Sequence, residues 1–128
     1  MELKSVLVIE DNELNLKLIR TLLQIAQYEV HAAENAETGM QLAADKQPDL
    51  ILMDVQLPGM DGLSAVRTMK ENSRTRDIPV VVVTSCAMDG DEERVMAAGC
   101  IGYITKPIDT RMFVPTIQEY WEKRGGGS

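Results

Sequence analysis

Leu50-Ile51-Leu52-Met53 is apolar at every position and runs straight into Asp54, with Val55-Gln56-Leu57-Pro58-Gly59 behind it. A strand with one wet face alternates apolar and polar residues, whereas a run that is apolar on both faces suits a central parallel strand covered by helices. Pro58-Gly59 marks a turn, so Asp54 belongs near the C-terminal end of that strand. In open α/β sheets this edge is where ligands bind.

The same unit recurs along the chain. Ser5-Val6-Leu7-Val8-Ile9 is strand-like up to Glu10-Asp11, and Asn12 caps a helix whose apolar face is expected to carry Leu14, Leu18, Leu22 and Ile25, widened by Ile19, Leu23 and Ala26. At about 100° per residue that arc covers about 200°. Asn15 falls inside it and Leu16 at its solvent edge, a pair suited either to a docking surface or to plain packing. Glu29-Val30-His31-Ala32-Ala33 reads as a short strand, and Asn35 caps a helix over 36–45. His31, the single histidine, has no ligand-like neighbour and reads as structural.

Asp61 caps a helix from Gly62 to about Glu71 that presents Leu63, Val66, Met69 and Lys70 at helical spacing, and Ile78-Pro79-Val80-Val81-Val82-Val83-Thr84 is the most strand-like run. Asp89, paired with Glu92 in a capping-box-like arrangement, opens a helix that Gly99 ends. Ile101 to Thr105 forms a last strand before Lys106-Pro107, and the final helix spans Thr110 to Lys123. Pro115 predicts a late start or a kink there, because an interior helical proline costs about 3 kcal/mol.

A chain of 128 residues, 45% hydrophobic, suffices for one domain with a real core, expected over residues 1–124, with 125–128 as a linker or tag-like tail. A net charge of −7 weighs against nucleic acid as a partner. No apolar run reaches the roughly 18 to 20 residues of a membrane span, so the expected compartment is the cytoplasm. Cys86 and Cys100 lack metal-ligand spacing and read as free thiols.

Strands alternating with helices through connections too long for hairpins imply right-handed crossovers and a doubly wound parallel α/β sheet. All strand C-termini then share one edge, which brings Glu10, Asp11, Asp54, Thr84 and Lys106 together. Clustered carboxylates repel, and they either gain protons or recruit a cation; an open acidic edge suits Mg²⁺. A lysine and a hydroxyl beside such a site suit stabilisation of a transferring phosphoryl group.

In order and spacing, Val8-Ile9-Glu10-Asp11-Asn12, Asp49 to Asp54, Leu57-Pro58-Gly59-Met60-Asp61-Gly62, Val83-Thr84-Ser85 and Gly102-Tyr103-Ile104-Thr105-Lys106-Pro107 together resemble the response regulator receiver domain of two-component phosphorelays. The resemblance spans residues 3 to 123. It implies a five-stranded (βα)5 flavodoxin-like fold of strand order 2-1-3-4-5. It also implies Asp54 as phosphoacceptor from a phosphohistidine, with Asp11, Asp54 and the Gln56 main-chain carbonyl on Mg²⁺ and Glu10 acting through water. Lys106, before a cis Pro107, would pair with phosphoryl oxygens, Thr84 and Tyr103 would switch, and Gln56 and Cys86 would tune phosphoryl lifetime.

Among receivers, Glu10 to Asn15, Gly90 to Arg94 and Lys106-Pro107-Ile108 look most like DivK-type single-domain receivers. The implied protein is a signalling module rather than an enzyme. Its implied partners are a histidine kinase or phosphotransfer protein docking near Asn15 and Leu16, and a target on the face of the fourth and fifth helices. Two other readings use the same residues: an Mg²⁺-dependent phosphohydrolase with an aspartyl nucleophile, disfavoured by Gln56 where such enzymes place a second acid, and a receiver-like scaffold that takes no phosphate.

Overall fold

The computed structural model describes residues 2–57, 59–85 and 91–124, with the backbone alone at Asp91. Strands and helices alternate in it: β1 Ser5–Ile9, α1 Glu13–Ile25, β2 Glu29–Ala33, α2 Ala36–Lys46, β3 Leu50–Asp54, α3 Gly62–Lys70, β4 Val80–Thr84, α4 Asp91–Ala97, β5 Gly102–Thr105 and α5 Phe113–Glu122. The strands form one parallel sheet in the order β2-β1-β3-β4-β5. The expected doubly wound architecture is therefore what forms.

Successive strand residues point to opposite faces, and each face has its own core. Leu7, Ile9, Ile51, Met53, Val80 and Val82 pack with Ala36 and Ala43 of α2, Leu63, Val66 and Met69 of α3, and Val95 of α4. Val6, Val8, Leu50, Leu52, Val81 and Val83 pack with Ile19 and Leu23 of α1 and Phe113, Ile117 and Trp121 of α5. Every residue of β3 and β4 is buried, as continuous apolar runs require.

The face of α1 differs from the expected one. Ile19 and Leu23 are its buried residues and Leu16 packs half-buried beside them, whereas Leu14 is 79% and Ile25 75% exposed. The apolar arc is wider than the strip that meets the sheet, and the sheet selects the half within about 60° of Ile19. Leu16 is thus a packing residue rather than a solvent-edge one.

The caps follow local chemistry. Asn12, Asn35 and Asp61 accept the backbone N–H three residues on, at 3.0, 2.8 and 3.0 Å. Pro115 is the third residue of α5, where a helix leaves N–H groups without intrahelical acceptors, so the missing donor is harmless and the late start is the resolution. Gly99 takes φ 103° just after α4, a backbone that favours glycine. The expected Asp89 cap, the Pro58 turn and the tail at 125–128 lie outside the described residues.

A close backbone approach sets where α3 begins. Gly62 opens the helix with its N–H on the Val55 carbonyl at 2.9 Å, and a Cβ there would stand 2.3 Å from the Asp54 carbonyl oxygen and 2.9 Å from the Val55 Cα. Those are backbone atoms at a strand end, so they cannot swing aside. Gly62→Ala should destabilise the chain by about 1–3 kcal/mol, the usual range for overpacking; an unchanged urea midpoint would show that the loop absorbs the methyl group.

Candidate functional site

Register brings the polar strand ends together. Ile9 pairs with Met53, Asp54 with Val83, and Thr84 with Thr105, so Glu10, Asp54, Thr84 and Lys106 arrive at one edge from four adjacent strands. Backbone bonds carry the ladder beyond the strands: Glu10 N–H donates to the Ala33 carbonyl at 3.0 Å, Val55 N–H to Val83 at 3.1 Å, and Lys106 N–H to Thr84 at 2.7 Å. The Lys106-Pro107 peptide is cis, as the motif implied.

Two carboxylates are fixed by the same local device. Asp54 Oδ1 accepts the Gln56 N–H at 3.0 Å and Glu10 Oε2 accepts the Asn12 N–H at 3.1 Å, each from two residues on as the chain turns off its strand. Glu10 and Asp54 are only 1% and 3% exposed, whereas Asp11 faces solvent. One carboxylate oxygen from each of Glu10, Asp11 and Asp54 lies within 4.8 Å of the others, a hard all-oxygen donor set.

Lys106 supplies the counter-charge. Its Nζ sits 2.8 Å from Glu10 Oε1 and 3.3 Å from Asp54 Oδ2. The Glu10 contact is close but poorly aligned, so Oε1 is a buried oxygen with an ion-pair partner and no well-directed hydrogen-bond donor among the described residues. Burial and the neighbouring Asp54 raise the Glu10 pKa, against the opposing pull of Lys106. Burial draws the Lys106 pKa down, but the close Glu10 carboxylate and the charge of Asp54 outweigh it, and the net shift is upward.

The remaining residues named from sequence are spread over the sheet edge, the cleft and the core. Thr84 is buried at the end of β4 on the same edge. Tyr103 lies within β5, half-buried against the core shared by α2, α3 and α4, and its carbonyl accepts the Tyr120 hydroxyl at 3.1 Å. Gln56, Asn15 and the exposed Leu14 line the same cleft as the acids, while Leu16 turns away into the core. Cys86 lies outside the described residues, and Cys100 is buried far from the edge in environment as well as chemistry, its thiol pushed up to about 12 by burial. His31 lies on β2, its Nε2 3.4 Å from Glu29 Oε1.

No sequence pattern assigned Ser85 a role. Its hydroxyl donates to Gln56 Oε1 at 3.0 Å across the cleft mouth. Its place one residue after Thr84 was the available signal, but which loop it faces is a tertiary fact.

Comparison with known proteins matches residues 6–118 to the model of the response regulator receiver domain. The chain is 47% identical over 117 residues to the polar-differentiation response regulator DivK of Brucella anthropi, covering 91% of this chain and 95% of that protein. The DivK of Brucella ovis is 46% identical over the same length. Among solved structures, the receiver domain of a sensor histidine kinase from Pseudomonas aeruginosa, with a magnesium ion coordinated in its active site cleft, superposes with TM-score 0.84 at 29% identity over 93% of this chain and 98% of that one. A CheY-like receiver domain protein from Methanospirillum hungatei gives TM-score 0.85 at 25% identity, covering 95% and 96%.

The raised Glu10 pKa has a measurable consequence in metal-free protein. Between the ordinary carboxyl value of 4.5 and its raised folded value, the folded chain binds a proton here more readily than the unfolded chain. Stability from this group therefore grows as pH falls through that window and levels off below 4.5. Glu10→Gln removes the dependence, so in a chelator its unfolding free energy relative to wild type should rise with pH from 4.5 up to the raised folded value and stay flat on either side; a difference independent of pH would contradict the raised pKa.

Proposed function

The chain belongs to the response regulator receiver domain family, and from that premise we propose that Asp54 takes a phosphoryl group from a phosphohistidine and that its aspartyl phosphate switches protein contacts. The observation that carries this reading is the grouping of Asp54 with Glu10, Asp11 and Lys106 at one cleft. In the transfer, an Asp54 carboxylate oxygen bonds to phosphorus as the bond from phosphorus to the imidazole nitrogen breaks, and the imidazole keeps the electron pair.

The chain's own residues divide the work. Gln56 N–H orients the attacking carboxylate, and Lys106, already 3.3 Å from Asp54, offsets charge on the phosphoryl oxygens. Asp11, Asp54 and the Gln56 main-chain carbonyl would hold Mg²⁺, with Glu10 acting through water. That ion supplies positive charge to the peripheral oxygens of the phosphoryl group. The hard oxygen donors of Glu10, Asp11 and Asp54 fit it.

Thr84 and Tyr103 form the switch: the hydroxyl turns to the new phosphoryl oxygen and the ring moves inward behind it, a two-state element biased by local charge. The face of α4, β5 and α5 carries the change to a downstream protein. The phosphodonor, a histidine kinase or histidine phosphotransfer protein, docks at the rim near Asn15 and Leu16, where the exposed Leu14 offers the apolar contact. The setting is cytoplasmic, and the only chemistry is phosphoryl acceptance and slow autodephosphorylation. No helix among the described residues is long and apolar enough to cross a membrane.

With Mg²⁺ and a small phosphodonor or a labelled kinase, wild type should form an acid-stable, base-labile adduct that Asp54→Asn lacks. No adduct with any donor would reject the reading, and rapid turnover of small phosphoesters would replace it with a hydrolase. Asp11→Ala should weaken Mg²⁺ binding in calorimetry by about tenfold or more, since even outer-sphere changes at metal sites cost roughly that much; an unchanged affinity removes Asp11 from the site.

A further inference from the structure

The bond between Ser85 and Gln56 joins two loops that the sheet edge brings face to face. Gln56 stands beside the nucleophile, its N–H on Asp54 Oδ1 at 3.0 Å, and its exposed side chain reaches over the cleft to accept the Ser85 hydroxyl at 3.0 Å. Ser85 follows directly on the buried Thr84, so the bond ties the start of the loop after β4 to the loop after β3. Both residues line the cleft that holds Asp54 and Lys106.

We infer that Ser85 is a positioning residue that prolongs the aspartyl phosphate by keeping the Gln56 side-chain carbonyl occupied and away from hydrolytic water. The inference rests on Asp54 being the phosphoacceptor. In hydrolysis a water oxygen bonds to phosphorus while the bond from phosphorus to the Asp54 oxygen breaks. The acyl phosphate dianion and water become the Asp54 carboxylate and dihydrogen phosphate, with the water's proton ending on phosphate.

An attacking water is helped by an acceptor that orients it, and a carboxamide offers one only through its oxygen. The bond to Ser85 takes one of the two lone pairs of that oxygen and holds the carbonyl against the start of the loop after β4, so that it is not free to swing to a water attacking phosphorus. Removing the hydroxyl releases the carbonyl. Among the described residues no hydrogen bond joins Ser85 to Asp54, and Ser85 acts through Gln56.

The test uses the full chain, charged with acetyl phosphate and Mg²⁺ and then freed of donor, with decay of the base-labile adduct followed in time. Ser85→Ala should lose the adduct about two- to fivefold faster, as expected for one neutral hydrogen bond, and Ser85→Thr, which keeps the hydroxyl, should match wild type. In a Gln56→Met background the Ser85→Ala change should have no effect, which a merely structural role for Ser85 would not produce. Normal charging with unchanged or slower decay in Ser85→Ala overturns this inference alone, as does an acceleration that persists in Gln56→Met. Failure of wild type to charge at all overturns the phosphoacceptor reading and this inference together.

Discussion

Lys106 makes it tolerable to bury Glu10 and Asp54 side by side. Each carboxylate loses most of its hydration, each repels the other, and removing ions from water is costly unless a partner stands close. A single ammonium 2.8 Å from one and 3.3 Å from the other supplies that partner. A compact point charge suits this position better than a planar guanidinium, which favours fork-like contact with one carboxylate. Three carboxylates face this one ammonium, and the excess of negative charge is what suits the edge to a divalent cation.

That contact exists only because the sheet holds its register. Asp54 and Thr84 end β3 and β4, Glu10 and Lys106 directly follow β1 and β5, and parallel pairing sets all of those ends along one edge. Beneath the site, the alternating faces of the same strands are locked by two separate cores, one with α1 and α5 and one with α2, α3 and α4. A strand buried on both faces cannot slip by one residue without exchanging its partners on both sides. The strands therefore present the chemistry at their ends, and Gly62 lets α3 begin hard against the end of β3.

Much of this was legible because it is local. Continuous apolar runs marked β3 and β4, and Asn12, Asn35 and Asp61 announced their helices through a side-chain acceptor placed three residues before the N–H it serves. Pro115 was legible as a conflict, resolved by a helix that begins at Phe113. The face of α1 was not, because apolar residues line more than half its circumference and only docking on the sheet separates Ile19 and Leu23 from the exposed Leu14 and Ile25. Nor was the tie between Ser85 and Gln56, whose partners lie on separate loops.

By itself the sequence determined the order and type of elements, the strand ends at which Glu10, Asp11, Asp54, Thr84 and Lys106 occur, and the family to which that pattern belongs. The elements and their ends follow from periodicity and capping, which act within a few residues of chain, and the family from the resemblance of the motifs at those ends. Tertiary structure decided which half of α1 meets the sheet, that Lys106 lies nearer to Glu10 than to Asp54, that Leu16 packs inward, and that Ser85 reaches Gln56. Those outcomes are set by distances of a few ångströms between segments far apart in sequence, and only strand register and close packing fix them.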